Sequence, residues 1–206
     1  MVFFILSTAA FVLILVWAEF REWSKLRAAS KTLASFGFLA VGVSSGLLHS
    51  QVGSVVLLGL GFGLIGDVFL LSRDHRVFLA GLVSFLFNHV AYVVAFALIG
   101  ISWSRFGLAF LPILGVAFLV WKWLSPHTGS LSAAVGVYIL TISVMVAAAI
   151  GSVHESPALL LGASLFFVSD LCVARDRFVS PGPENRLLGL PLYYTAQLVF
   201  AYSGAQ

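Results

Sequence analysis

Two aspartates occupy the positions in this chain that most strongly indicate chemistry. Asp67 and Asp170 each lie within an otherwise apolar stretch that is long enough to cross a bilayer. A charged side chain in hydrocarbon costs at least about 2.5–3.5 kcal/mol, so an ionisable group there is expected to have a function. Burial and a neighbouring carboxylate both favour the protonated form of a carboxyl. A pair of such groups can therefore supply one general acid and one general base, or carry protons or cations.

Other polar residues in apolar stretches extend this set of candidates. His89 and Tyr92 are three residues apart and share a helix face. Tyrosines near a helix end often anchor it at the membrane interface, but the deeper Gln197 must form hydrogen bonds. Ser169 is expected either to pack helices or to assist the neighbouring Asp170. The candidates beside the two aspartates are Lys31, Asn88, His89, Tyr92, Ser169, Tyr193, Tyr194 and Gln197.

Lys31 has two interpretations. It is predicted to open the second span at the cytoplasmic face, where its charge either extends to the membrane surface or meets a lipid phosphate. The glycines of the third span, Gly59, Gly63 and Gly66, are interpreted mainly as a groove for close helix packing beside Asp67.

The elements that must position these residues are transmembrane helices. Hydrophobic residues make up 61% of the 206 residues and charged residues only 9%, far below the usual quarter of a soluble domain. Only helices or closed barrels satisfy backbone polar groups in lipid. The sequence predicts an all-α, polytopic fold with one domain over residues 1–206 and eight spans, at about 2–18, 32–48, 52–72, 77–99, 105–121, 131–151, 157–175 and 187–204.

The distribution of basic residues predicts the orientation. One side of the predicted membrane holds only Arg105, and a strong excess of Lys and Arg marks the cytoplasmic side. Both termini are therefore expected to face away from the cytoplasm. The loops of the cytoplasmic side hold Arg21, Lys25, Arg27, Lys31, Arg73, Arg76, Lys122, Arg175, Arg177 and Arg186.

Composition also limits the classes of function. The net charge of +3 comes from bases in short loops, so membrane topology explains it better than nucleic-acid binding. The single cysteine, Cys172, allows no disulfide within the chain. The apolar segment from Val2 to Ala18 has no basic flank and no small-residue cleavage pattern, so it is interpreted as a first span rather than a signal peptide.

Four motifs in order resemble those of a known family. They are Gly66-Asp67-Val68-Phe69-Leu70, the Phe78, Gly81, Phe85, His89 and Tyr92 stripe, Phe166 with Ser169-Asp170, and Tyr193-Tyr194 with Ala196-Gln197. Together with eight spans in about 200 residues, they resemble the lysoplasmalogenase (YhhN/TMEM86) family of integral membrane hydrolases. The family often has a proline after the lysine of helix 2, where this chain has Thr32.

The resemblance implies hydrolysis of the vinyl-ether bond of a lysoplasmalogen to a fatty aldehyde and a glycerophospho-base. Protonation of the alkene carbon gives an oxocarbenium ion, to which water adds, as in the related cation of glycosidases. The resemblance implies Asp67 and Asp170 as essential acids and His89, Tyr92, Tyr193 and Gln197 as groups lining the site. No cofactor is expected, and the partners are a lysophospholipid and the bilayer, most simply the inner membrane of a bacterium.

Two hypotheses from other classes remain open at this point. In a metal-dependent lipid hydrolase, Asp67, His89 and Asp170 would hold zinc and activate a water. In a proton- or cation-coupled lipid transporter, the paired acids would relay protons or bind the cation. The other histidines are interpreted as solvated because they form no metal-binding spacing: His49, His75, His127 and His154.

Overall fold

The computed structural model describes residues 1–72, 74–152 and 156–204. The loop residues Arg73 and His154 therefore lie outside the described part. Within it, the chain forms α-helices and short 3-10 and π turns, with no strand, which confirms the predicted all-α class. The α-helices are α1 (Val2–Phe20), α2 (Ser24–Ser44), α3 (Gln51–Phe69), α4 (His75–Ile99), α5 (Trp103–Thr128), α6 (Ser132–Gly151), α7 (Pro157–Ala174) and α8 (Pro183–Ser203).

Five helical segments of the described chain are long and apolar enough to cross a membrane. They comprise α1, α3, α4, the stretch from α5 to α6, and α7 with the π turn that follows it. α5 and α6 pack against each other, so the chain reverses direction between them. Gly129, at the reversal, has φ of +52°, a conformation that favours glycine. α2 and α8 fall outside the five segments.

Six helices form a closed ring. α2, α3, α4, α6, α7 and α8 each contact the next in this order, and α8 contacts α2 again. α1 packs outside the ring on α2 and α8, and α5 packs on α6. Only four residues of α1 and three of α5 are accordingly buried, and lipid would surround much of the remaining surface of these two helices.

Several helix ends differ from the predicted spans. α2 begins at Ser24, so Lys31 lies in its second turn and does not open the helix. α5 continues through Pro126 to Thr128, past the predicted end of its span at about residue 121. α4 begins where the Asp74 carboxylate accepts hydrogen bonds from the backbone N–H groups of Arg76 and Val77.

The glycine groove of α3 is a close-packing surface, as predicted, and it also admits polar side chains. A Cβ at Gly59 would press on Tyr92, and one at Gly66 would press on Phe85. A Cβ at Gly63 would collide with the side-chain amide of Gln197. Because these three residues of α3 are glycines, α4 and α8 can approach the helix close to Asp67.

Candidate functional site

Asp67 lies at the centre of a convergent set of hydrogen-bond donors. The Lys31 ammonium is 3.2 Å from Oδ1 of Asp67. The hydroxyls of Ser35 and Tyr193 each donate to Oδ2 at 2.7 Å. The Asp67 side chain is only 2% exposed. Three donors, one of them cationic, are the surroundings that stabilise an ionised carboxylate in a buried site.

A relay of hydrogen bonds fixes the orientation of the Tyr193 hydroxyl. Tyr92 donates to Oε1 of Gln197, and Nε2 of Gln197 donates to the Tyr193 oxygen at 3.1 Å. Because that oxygen already accepts a hydrogen bond, its own proton is directed at Asp67. All of these side chains are buried. We call Tyr92, Gln197 and Tyr193 the α4–α8 relay.

Asp170 has a different environment on α7. Its Oδ2 accepts a hydrogen bond from the Tyr138 hydroxyl at 2.8 Å and lies 3.1 Å from Nε2 of His89. Nε2 of His89 is also 2.9 Å from the Tyr138 oxygen. The side chain of Asp170 is 17% exposed, against none for that of His89. Asp170 therefore combines two fixed hydrogen-bond partners with access to open space.

Both aspartates line one cavity of about 490 Å³, a volume typical of small-molecule sites. No hydrogen bond joins Asp67 to Asp170 in the described part of the chain; each carboxyl has its own partners. The cavity has an apolar arm between α5, α6 and α7, lined by Val120, Leu124, Val135, Ile139, Ile142 and Leu171. The lining also includes four charged residues that form ion pairs with one another and are partly exposed, which we call the mouth cluster: Glu19, Arg27, Asp176 and Arg186.

The remaining candidates lie around this site. The Tyr194 hydroxyl donates to the Lys31 carbonyl at 3.1 Å and lies 3.2 Å from the Ser35 hydroxyl. Asn88 donates to the Gly59 carbonyl and thereby ties α4 to α3. Ser169 donates to the Gly189 carbonyl, which links α7 to α8. Lys31 contacts Asp67, and its proposed contact with a lipid phosphate stays a prediction.

Two partners of the aspartates escaped the sequence analysis. Ser35 lies four residues after Lys31, so the two share a face of α2, and this spacing is a signal that could have identified it. Tyr138 lies in α6 without a polar neighbour in sequence that points to it. Its role is visible only because α6 packs between α4 and α7. Of the mouth cluster, the sequence analysis identified only Arg27 and Arg186, as basic residues of the cytoplasmic side.

In residues 1–72, 74–152 and 156–204, no three His, Cys, Asp or Glu side chains are arranged to hold a metal ion. Asp170 and His89 are in contact, but Asp67 contacts Lys31 instead of joining them. The described residues therefore provide no three-ligand set for the zinc site of the metal hypothesis. His49, His75 and His127 are exposed.

The fold and the site together define a polytopic helical membrane protein with one buried and one partly buried carboxyl in an amphipathic cavity. The sequence profile of the YhhN family matches residues 8–204, and the chain belongs to this family. Lysoplasmalogenase TMEM86A of Bos taurus is 33% identical over 177 residues, which cover 82% of this chain and 72% of that protein. The human protein of the same name is 31% identical over 177 residues, with the same coverage.

No solved structure matches the chain significantly. The predicted family is confirmed, and the chain is classed with the membrane enzymes of that family.

Proposed function

We propose that this protein hydrolyses the vinyl-ether bond of a lysoplasmalogen to a fatty aldehyde and a glycerophospho-base. The observation that carries the proposal is the single amphipathic cavity with a carboxyl on each of two helices. A lysolipid has a charged head, a reactive bond near that head and an apolar tail. The mouth cluster, the two aspartates and the apolar arm offer matching surroundings for these three parts. The names of the relatives support the same substrate.

The unequal surroundings of the two carboxyls suggest different roles. Asp67, paired with Lys31 and hydrogen-bonded by two hydroxyls, is suited to remain ionised. Both contacts of Asp170 are made by Oδ2, which leaves Oδ1 to carry a proton into the cavity. We therefore assign Asp170 as the general acid that protonates the alkene carbon. Asp67 then stabilises the oxocarbenium ion and orients the attacking water.

Water is the only co-reactant that this reaction needs. The proton from Asp170 forms a new C–H bond, and the alkene electrons that form it leave the cation on the ether carbon. Water adds to that carbon and returns a proton to a carboxylate. The hemiacetal then transfers its hydroxyl proton to the leaving glycerol oxygen as the C–O bond breaks. A saturated ether lacks the alkene and should not react.

In the proposed topology, one domain of eight spans crosses the inner membrane of a bacterium, and both termini lie on the side away from the cytoplasm. The mouth cluster lies where α1 ends and where α2 and α8 begin, at the end of the bundle that carries the basic loops. The lysolipid would then reach the cavity laterally from the cytoplasmic leaflet. Its head group would stay near the surface while its tail enters between α5, α6 and α7.

Turnover of defined lysolipids tests this proposal. We expect the purified protein to release aldehyde from an alkenyl lysolipid but not from its saturated ether analogue. Asp67→Asn and Asp170→Asn should each lower kcat by at least about a hundredfold, because each removes a proton-transfer or charge-stabilising group. Asp74→Asn, which changes an exposed helix cap outside the cavity, is the matched control for the loss of one carboxylate. Cleavage of both lipids, or of neither, would contradict the proposal.

A further inference from the structure

The mouth cluster has charges of both signs within contact distance of each other. We propose that it is a binding site for a zwitterionic phospholipid head group, in which Arg27 and Arg186 bind the phosphate and Glu19 with Asp176 binds the ammonium. This inference rests on the proposed function, because it names the part of the substrate that lies outside the reaction.

Arg27 has donors that its protein contacts leave available. Its Nε atom is buried and has no hydrogen-bond partner among the described residues. Its Nη1 atom is 3.7 Å from Oε2 of Glu19, which is too long for a hydrogen bond. The planar guanidinium group of arginine presents its donors in a fork that matches two phosphate oxygens. Arg27 lines the cavity and its side chain is 24% exposed, so the Nη end of its guanidinium group is suited to receive an anion there.

Glu19 lies between the two arginines. Its Oε2 accepts a hydrogen bond from Nη1 of Arg186 at 3.0 Å, and Nε of Arg186 donates to Asp176 at 3.2 Å. The Arg186 side chain is 41% exposed, whereas that of Glu19 is 14% exposed. A phosphate that contacts both guanidinium groups would weaken their attraction to Glu19. The Glu19 carboxylate would then be available to a neighbouring ammonium group.

The charge balance of the mouth cluster favours a zwitterion over an anion. The cluster has two basic side chains, Arg27 and Arg186, and two acidic ones, Glu19 and Asp176. A purely anionic head group would approach two carboxylates at the mouth without a cation to offset them. A phosphoethanolamine or phosphocholine group carries both charges and can offset each in turn.

The spacing along α2 agrees with the dimensions of a lysolipid. Arg27 precedes Lys31 by four residues, which is a rise of about 6 Å toward the mouth. Lys31 contacts Asp67. In an ether lysolipid, the phosphorus is separated from the reactive alkene carbon by a chain of roughly 8 Å at ordinary bond lengths. A phosphate at Arg27 therefore leaves the alkene within reach of the aspartates.

Binding of unreactive lipids tests the site without requiring turnover. Displacement of a fluorescent lysolipid from the full-length protein would be measured for two saturated hexadecyl-ether lysolipids, one with phosphoethanolamine and one with phosphomethanol. Arg27→Gln should weaken binding of both lipids by about tenfold, because both contain the phosphate. Glu19→Gln should weaken only the phosphoethanolamine lipid, by about threefold or more. Arg21→Gln, which changes an exposed arginine directly after α1, should change either affinity by less than about twofold.

Arg186→Gln repeats the phosphate test at an exposed side chain in case Arg27→Gln does not fold. Equal affinities of the wild type and the arginine variants would overturn the inference, and so would equal losses for both lipids in Glu19→Gln. If such results accompany intact aldehyde release, the proposed function stands and only the head-group site fails. If the wild type binds these lipids selectively but never cleaves the alkenyl lipid, the proposed function alone fails.

Discussion

The Asp170 carboxyl depends on Tyr138 for its position in the proposed reaction. The Tyr138 hydroxyl contacts both Asp170 and His89, so one phenol fixes the geometry of an acid and an imidazole. His89 packs against the rings of Phe166 and Tyr138, and its Nδ1 atom has no hydrogen-bond partner among the described residues. A neutral imidazole that donates from Nε2 would leave only an acceptor unpaired. His89 is thus suited to orient Asp170 through this hydrogen bond.

Tyr138→Phe should lower kcat by roughly 10- to 100-fold and leave KM nearly unchanged. The substitution removes a hydrogen bond that becomes charge-assisted as Asp170 loses its proton, and a hydrogen bond to a charged group is worth about 1.5–3 kcal/mol. The measurement is the rate of aldehyde release over a range of substrate concentrations. Tyr202→Phe, on the exposed face of α8, is the matched control and should retain the wild-type rate. An unchanged kcat in Tyr138→Phe would remove Tyr138 from the mechanism.

The helix α3 contributes to the site as much by its missing side chains as by Asp67. Gly63 faces the amide of Gln197 and the hydroxyl of Tyr193, the last two members of the α4–α8 relay. Gly61 is two residues away on the same helix, but a Cβ there would meet no atom within 4 Å. A methyl group added at Gly63 would therefore disturb the relay, whereas one added at Gly61 would test only the general effect of alanine on the helix.

Gly63→Ala should displace Gln197 and reduce activity by at least about tenfold, with a loss of roughly 1–3 kcal/mol in stability from overpacking. Gly61→Ala should leave both properties close to those of the wild type. Aldehyde release and the midpoint of thermal unfolding measure the two effects. Wild-type activity in a folded Gly63→Ala variant would show that the relay does not position Asp67.

Hydropathy marks two of the helices that form the site, α2 and α8, less strongly than the others. The order of helices agrees with the predicted spans, but α2 and α8 fall outside the five strongly apolar segments. These two helices carry Lys31, Ser35, Tyr193 and Gln197, which are satisfied by protein partners and therefore need not be apolar. The aspartates were found because a charge in an apolar stretch is conspicuous. Tyr138 was missed because its partner is 32 residues away along the chain.

At the scale of the whole molecule, the bundle has two chemically different ends. Glu19, Arg27, Asp176 and Arg186 meet at one end, and the loop between α4 and α5 lies at the other. The excess of basic residues predicts that the first end faces the cytoplasm. The orientation of the cavity in the membrane follows from that assignment.

Single cysteines can test this orientation in a Cys172→Ser background. Ser104→Cys, near the start of α5, should react with a membrane-impermeant thiol reagent in intact cells. Ser130→Cys, an exposed residue between α5 and α6, should react only after permeabilisation. Each variant is the control for the other, because both carry one exposed thiol on the same hairpin. The reverse pattern of labelling would invert the topology.

The apolar arm and the mouth cluster of the cavity also bear on what happens after bond cleavage. The proposed reaction divides one amphiphile into a fatty aldehyde and a water-soluble glycerol derivative. In the proposed reaction, the wall formed by Val135, Ile139 and Ile142 would contact the aldehyde, and the mouth cluster would contact its water-soluble counterpart. The intact lipid makes both sets of contacts at once, whereas each fragment makes only one of them. Bond cleavage would therefore weaken the binding of both products and favour their release.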